Sequence, residues 1–355
     1  MQVDLNGKTI LLGVTGSISA YKACDIARLF VKAGADVHIV MTASAERFVS
    51  ALTFEALTRN IVLTDETESW SSELNHIDIG KKCDAFVIAP ATANTINKLS
   101  HGIADNILTQ TALAYTREII LAPAANTNML LNHATRDSID HLKSNSYTII
   151  EPQEKLLACG DTGSGALAEP LEVFYATAKA LLKEPFWKDR EVVVTGGGSR
   201  EKIDEVRYIS NFSSGKMAGA LSLALYLRGA NVTYISTMGF GDLPLDIKRI
   251  KAESAQDILQ ETQKNITAVT TQESENMPYL FMVAAVADFK PADPKDGKVK
   301  KSSIGTHWNI ELEQTIDILA TIDKSKIKTV GFKAEMDSQE GLNNAIALLE
   351  KKGVD

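Results

Sequence analysis

One pattern constrains this 355-residue chain more than any other. Twice, a short apolar strand runs into a glycine-rich turn and then into an amphipathic helix. The first instance is Thr9 to Val14, followed by Thr15-Gly16-Ser17 and a helix with Ala23, Ile26, Ala27 and Phe30 at i, i+3, i+4 and i+7. The second is Glu191 to Thr195, followed by Gly196-Gly197-Gly198. After a longer loop comes a helix with Ala220, Leu223, Ala224 and Leu227 on one face. Further apolar strands are expected at Asp36 to Met41, Phe86 to Ala89 and Glu118 to Ala122 in the first half, and at Asn231 to Ser236 and Leu280 to Ala287 in the second. Near-continuous apolar strands alternating with amphipathic helices predict parallel sheets covered on both faces. The fold class is therefore α/β, with two doubly wound Rossmann-like domains over residues 1–183 and 190–355, separated by the stretch Glu184 to Asp189.

A strand, glycine turn and helix in series aim backbone N–H groups and a helix N-terminus at an anion. Taken alone, a tight turn needing positive φ accounts for either glycine run as well. Neither turn has the GxGxxG spacing, and neither second strand ends in the Asp or Glu that would hold a ribose; they run out at Met41-Thr42 and Ser236-Thr237. The turns thus predict mononucleotide-type phosphate sites, suited to FMN or a nucleoside triphosphate rather than NAD. A net charge of −8 with no Lys/Arg-dense stretch argues against nucleic acid as a partner. Apolar runs such as Phe281 to Ala287 fall far short of the ~20 residues that span a bilayer. The start, Met1 to Asp4, shows no basic and apolar leader. Cys24, Cys83 and Cys159 show no CxxC spacing, which suits a reducing cytoplasm and opposes a structural zinc site.

Four stretches of the first half could carry chemistry. His76-Ile77-Asp78 lies in a polar connection before the strand at Phe86, where from spacing alone a lone histidine is more often a surface or satisfied core residue than a functional one. Ala89 to Thr95 follows a buried strand, at the edge where open α/β sheets bind ligands. Small residues there admit a flat ring and Thr92, Asn94 and Thr95 offer hydrogen bonds; a helix N-cap at Thr92 or Asn94 is the other reading. Pro123 to Met129, with Asn126, shares that edge. Leu157 to Gly165 is a glycine-rich loop around Cys159, able to close over a ligand.

In their order, Gly16-Ser17-Ile18, the His76 segment, Ala89 to Thr95, Gly102 to Asn106 and Leu157 to Asp161 resemble the flavin-containing cysteine decarboxylases. In the second half, Asp204 to Lys216, Ala284 to Asp288 and Lys298 to Lys301 resemble the ligase signature of the bifunctional phosphopantothenoylcysteine decarboxylase/phosphopantothenate–cysteine ligases of coenzyme A biosynthesis. The resemblance covers essentially the whole chain. It implies two reactions. CTP activates 4′-phosphopantothenate as an acyl-cytidylate that L-cysteine attacks. FMN-dependent decarboxylation then yields 4′-phosphopantetheine.

The same resemblance implies the site residues. FMN would lie against Gly16, Ser17, Ile18, Thr42, Ser44, Thr92, Ala93, Asn94 and Thr95. His76 would be the base or orienting group, Asn126 would hold the departing carboxylate, and Cys159 would protonate the enethiolate carbon. CTP and substrate would meet Gly196, Gly197, Arg207, Ser213, Ser214, Gly215, Asp288, Lys300, Lys301, Asp317, Ile318, Phe332 and Lys352. Lys298 would contact the reacting phosphate, Asn211 would orient the acyl-cytidylate, and Asp288 would take Mg²⁺. Implied partners are these small molecules and copies of the chain itself, in a trimer-based dodecamer whose contact Ala104-Asp105-Asn106 helps build, with no nucleic acid and no membrane. The chain departs from the family at Ala125, where Met is usual, at Thr315-Ile316, where Asn-Pro is usual, and at Leu348, where Lys is usual. A helix over Gly341 to Lys352 and a strand starting at Val354-Asp355 are expected. Family members continue further, so the ligase domain is expected to be incomplete at its C-terminal end. A decarboxylase with a degenerate second domain, or a flavin-binding regulatory subunit, are the alternative readings.

Overall fold

A computed structural model describes residues 3–72, 74–156, 160, 162–271, 276–333 and 352–355. The chain forms two compact units, Met1–Leu182 and Lys183–Asp355. In the first, strands β1 (Thr9–Val14), β2 (Asp36–Met41), β3 (Ala85–Ala91), β4 (Ile119–Pro123) and β5 (Tyr147–Ile149) form one parallel sheet of order β2-β1-β3-β4-β5. Around them run α1 (Ala20–Lys32), α2 (Ala43–Glu46), α3 (Ala51–Thr58), α4 (His76–Lys82), α5 (Ala93–Ser100), α6 (Ile107–Ala114), α7 (Thr127–Leu131), α8 (His133–Lys143) and α9 (Pro170–Leu182). An antiparallel hairpin, β6 (Gln153–Leu156) and β7 (Thr162–Ala166), stands apart from the sheet.

Burial explains these elements. All seven residues of β3 are buried, as a central strand covered on both faces requires. α1 turns Ala20, Ala23, Ile26, Ala27 and Phe30 inward at helical spacing. Leu11, Phe86, Ile88, Leu108 and Leu121 belong to one core on that sheet.

In the second unit β8 (Glu191–Gly196), β11 (Asn231–Ser236), β12 (Lys248–Lys251), β13 (Tyr279–Met282) and β16 (Lys328–Gly331) form a parallel sheet of order β12-β11-β8-β13-β16. Two antiparallel pairs lie outside it: β9 (Arg200–Lys202) with β10 (Tyr208–Ser210), and β14 (Phe289–Pro291) with β15 (Leu312–Gln314). The helices are α10 (Lys216–Leu227), α11 (Ala255–Thr270), α12 (Lys301–Ile304) and α13 (Ile318–Thr321). Val193, Ile235, Ile258, Leu280 and Ile318 share its core. Both sheets are parallel and each reverses its strand order about its first strand, so both units are doubly wound. The first has the flavodoxin-like order, the second the Rossmann order counted within its own sheet.

Two local expectations change. The apolar run from Leu280 does not stay a strand to Ala287: the continuous ladder stops at Met282, with one isolated parallel bridge from Ala285 to Gly198 beyond it. The alanines beyond it are held down by loop contacts instead, Ala285 N–H donating to the Gly197 carbonyl at 2.8 Å and Ala287 N–H to Ser199 Oγ at 3.0 Å. The segment holding His76 is no loop either; Asn75 caps α4, accepting from the N–H groups of Ile77 and Asp78, and His76 is the first helical residue. The expected helix over Gly341 to Lys352 lies, but for Lys352, outside the described residues, as does Leu348. At the chain end the N–H of Asp355 donates to the Thr329 carbonyl at 2.8 Å, alongside β16. Among the described residues no helix is long and apolar enough to cross a membrane.

Cys83 closes the first unit's core beneath α4 with no exposed surface, and burial pushes its thiol up to about 12. The thiolate, not the thiol, attacks an alkylating reagent. Native chain treated with iodoacetamide at about pH 8 should leave Cys83 unmodified, although an unperturbed thiol near 8.5 would react; peptide mapping after unfolding in guanidinium should then find it labelled. Rapid labelling of Cys83 in the native chain would contradict this packing.

Candidate active sites of the two units

Strand order reverses between β1 and β3, and ligands of open α/β sheets bind at such a point. Thr15, the residue after β1, is buried there. Its Oγ1 donates to the Pro90 carbonyl at 2.7 Å and accepts from the Thr92 N–H at 3.0 Å, joining the loops that follow the two strands. Gly16 comes next, and a Cβ there would lie 2.5 Å from the Cβ of Ser44, so only glycine lets the turn cross the start of α2. Thr92 caps α5, accepting from the Thr95 N–H at 3.3 Å. Asn126 caps α7, its Oδ1 accepting from the Asn128 N–H at 2.9 Å. The capping reading is therefore right for Thr92, and the caps hold both residues at the sheet edge rather than removing them from it.

Around this edge opens a cavity of about 1060 Å³. Gly16, Ser17, Ile18, Thr42, Ser44, Thr92, Ala93, Asn94, Thr95 and Asn126 all line it, with Ala124 and Ala125 on the same wall. Gly165 of β7 brings the hairpin against that wall: Ala125 N–H donates to its carbonyl at 3.1 Å, and a Cβ on Gly165 would meet the Ala125 carbonyl at 2.2 Å. His76 is not among the cavity walls. Its Nδ1 is 2.6 Å from Glu68 Oε1, and its ring meets the Trp70 ring edge-on at 5.6 Å. Cys159 lies outside the described residues.

The lysines of this cavity stand outside every motif named above. Lys22 of α1 and Lys155 of β6 both reach Glu169, Lys22 at 3.6 Å and Lys155 closer, and the Lys155 bond holds the Glu169 carboxyl below its ordinary range. Lys98 pairs with Asp105 at 2.7 Å, which lowers that carboxyl as well. All of these but Glu169 line the cavity. Lys22, three residues into a helix without an acidic first turn, was the legible signal, because a cation there opposes the helix dipole unless an anion is near.

The second unit repeats the device between β8 and β13. Thr195 Oγ1 accepts from the Ala284 N–H at 3.2 Å. Asn211 Nδ2 donates to the Val286 carbonyl at 3.0 Å, and a Cβ on Gly198 would strike the Asn211 carbonyl at 2.5 Å. Gly215, at φ +70°, caps α10, with Ser213 and Ser214 just before it. Gly196, Gly197, Asn211 and the Ser213–Gly215 turn thus approach one sheet edge. Arg207 is held by Asp204, its Nη1 2.9 Å from Oδ2. Lys298, Lys300 and Lys301 are exposed on the segment that leads into α12, and Asp288 is exposed beside β14. Asp317 caps α13 and pairs with Lys352 Nζ at 3.1 Å. Ile318 is core, so only its backbone could meet a ligand; Phe332 stands half-exposed just past β16.

A doubly wound unit whose glycine turn opens on a ring-sized, alanine-walled cleft has the build of a flavoprotein. Residues 1–182 match the family model described as Flavoprotein, and residues 187–355 that described as DNA/pantothenate metabolism flavoprotein C-terminal domain. The coenzyme A biosynthesis bifunctional protein CoaBC of Bacillus subtilis is 40% identical over 342 residues, 95% of this chain and 82% of the relative. That of Haemophilus influenzae is 37% identical over 358 residues, 99% of this chain and 86% of the relative. Among solved structures, a PPC decarboxylase mutant complexed with pantothenoylaminoethenethiol is 34% identical, covering 48% of this chain and 95% of its own, with a TM-score of 0.44. The chain belongs to the family of bifunctional coenzyme A biosynthesis proteins, enzymes that unite a decarboxylase and a ligase.

Gly16→Ala should push Ser44 off the turn. Purified variant should carry little flavin absorbance while its far-ultraviolet circular dichroism stays unchanged. Full flavin occupancy in Gly16→Ala would show that the close approach of turn and α2 is dispensable.

Proposed function

We propose that the chain joins L-cysteine to 4′-phosphopantothenate with CTP, through an acyl-cytidylate, and decarboxylates the product to 4′-phosphopantetheine as a cytoplasmic homo-oligomer. The observation that carries this reading is the first unit's cavity, in which the Gly16 turn, the Thr92–Thr95 cap and Asn126 face one space. FMN fits it: the turn and Ser44 suit a phosphate, the small side chains of Ala93, Ala124 and Ala125 suit a flat ring, and the size leaves room for a second ligand. The chemistry FMN supplies when bound is two-electron oxidation of the cysteinyl thiol to a thioaldehyde, a sink for the electrons of the breaking carbon–carboxylate bond, and the return of those electrons afterwards.

This chain's residues do the rest. Asn126 holds the carboxylate through its amide. Cys159 gives a proton to the enethiolate carbon, a task open to a thiol whose ordinary pKa is ~8.5. His76, fixed through Nδ1 by Glu68, presents Nε2 as the proton-exchanging atom. Its place outside the cavity walls is what a trimer accounts for, with the flavin between subunits and His76 supplied by a neighbouring copy. Ile18, Tyr21, Phe48, Leu52 and Ile103 are exposed apolar side chains available for such contacts.

In the second unit, bringing CTP to a carboxylate sets anion against anion. Lys298 neutralises the reacting phosphate, with Lys300 and Lys301 on the remaining phosphates. Arg207, Gly196, Gly197 and Ser213–Gly215 frame the substrate, Asp317, Ile318, Phe332 and Lys352 the nucleotide, and Asn211 orients the acyl-cytidylate. Mg²⁺ is commonly held by one or two carboxylates together with substrate phosphates, which fits an exposed Asp288.

Incubating the purified yellow chain with 4′-phosphopantothenate, cysteine and CTP should give 4′-phosphopantetheine with one CMP released per turnover. Product without CMP, or a colourless monomeric protein, would sink the proposal. The half-reactions should also separate. Lys298→Gln removes a charge beside phosphate and should block acyl-cytidylate formation. Asn211→Asp should accumulate the intermediate and pass it slowly to cysteine. Failure of both variants at one step would refute this division of roles.

A further inference from the structure

We propose that Asp204 is a positioning residue for the ligation step: its buried carboxylate clasps segment 203–207 to segment 295–299 and so fixes Arg207 and the lysines around Val299 in register. The role rests on the ligase reading above; the clasp itself rests on geometry alone.

Asp204 is 2% exposed, in an irregular connection between β9 and β10. Its Oδ1 accepts from the backbone N–H groups of Val206 at 2.8 Å and Arg207 at 2.7 Å. Its Oδ2 accepts from the Arg207 guanidinium at 2.9 Å and from the Val299 N–H at 3.2 Å. Four donors saturate the carboxylate. Arg207 completes the circuit, its Nη2 donating to the Val299 carbonyl at 3.3 Å while its face lies 5.0 Å from the Trp308 ring. Two backbone bonds flank the clasp, Lys295 N–H to the Ile203 carbonyl at 2.9 Å and Glu205 N–H to the Gly297 carbonyl at 3.3 Å.

Burial alone would raise this carboxyl, but the N–H groups of Val206, Val299 and Arg207 and the guanidinium outweigh it and hold the carboxyl below its ordinary range. The group is therefore a fixed anion at neutral pH. It has too little exposed surface to touch substrate, so it acts through what it holds. What it holds is the stretch carrying Lys298, Lys300 and Lys301, three exposed side chains at the start of a four-residue helix. A lysine serving a reacting phosphate must sit within hydrogen-bond reach of it, and misplacement by about 1 Å can cost on the order of 100-fold.

Asp204→Asn keeps the shape but turns an N–H toward a donor that the carboxylate had accepted. The full chain carries two readouts. The first needs no ligase activity: trypsin cleavage after Lys298, Lys300 and Lys301, followed by mass spectrometry, should be about tenfold faster in Asp204→Asn. The second is CTP-dependent ligation. Its kcat should fall on the order of 100-fold with the KM for 4′-phosphopantothenate nearly unchanged. Decarboxylation of supplied phosphopantothenoylcysteine should be unaffected. If Asp204 works through Lys298, Asp204→Asn combined with Lys298→Arg, which keeps the charge but displaces it and retains measurable activity, should ligate no worse than the poorer of the two single variants; a merely structural loss would instead multiply. Equal cleavage of unchanged and variant chains would overturn the clasp. Faster cleavage with undiminished ligation, or multiplicative losses in the double variant, would overturn the positioning role. An unchanged chain that never ligates, with the cleavage difference present, would contradict the ligase reading and leave the clasp standing.

Discussion

A threonine hydroxyl at the end of the first strand of each sheet sets what the rest of the molecule can do. Thr15 and Thr195 are both buried, and each lies where strand order reverses. Each binds backbone of the loop after the neighbouring strand, Thr92 in one unit and Ala284 in the other. A parallel sheet has no tight turn to hold these loops together, because its strands are joined by distant crossovers. One side chain therefore does locally what the topology leaves undone. Leaving a buried N–H without an acceptor costs about 1–3 kcal/mol, and less for half-buried groups such as those of Thr92 and Ala284.

From that shared device the units diverge. In the first, the space beyond the threonine stays open, walled by alanines and bordered by a hairpin that Gly165 allows to approach. In the second, Ala284 to Ala287 fold down over the glycine turn, and Lys298, Lys300 and Lys301 stand exposed on and beside an irregular segment held by one buried carboxylate. A walled cleft suits chemistry on a bound ring. A mobile polyanion such as a nucleoside triphosphate calls for cations on an exposed edge.

Much of this was legible in the chain. The central strands and α1 declare themselves because burial on both faces, or on one stripe, leaves a periodic trace, and the glycine turns and Thr92–Thr95 fall where that trace puts them. Other elements leave none. Arg200–Lys202, Lys248–Lys251 and Leu312–Gln314 are polar strands held by backbone pairing at edges, which sequence does not encode. The run past Met282 misled because alanines buried under a loop look like alanines in a strand. In the sequence Asp204 is only the first letter of a motif; that its carboxylate binds Val299, far along the chain, is visible only once the chain is folded. His76 was legible as a residue and not as a place, since its position depends on a cap at Asn75 and a bond to Glu68.

The central claim is that the threonine at each reversal of strand order builds the ligand site of its own unit. Titrating FMN into flavin-free Thr15→Val tests it directly, with Thr195→Val as the matched control. Thr15→Val removes one hydroxyl and leaves the Thr92 N–H without its acceptor. The account predicts an FMN dissociation constant raised at least about tenfold, corresponding to ~1.4 kcal/mol, and an unchanged constant for Thr195→Val. Equal FMN affinity in Thr15→Val and the unchanged chain would contradict it.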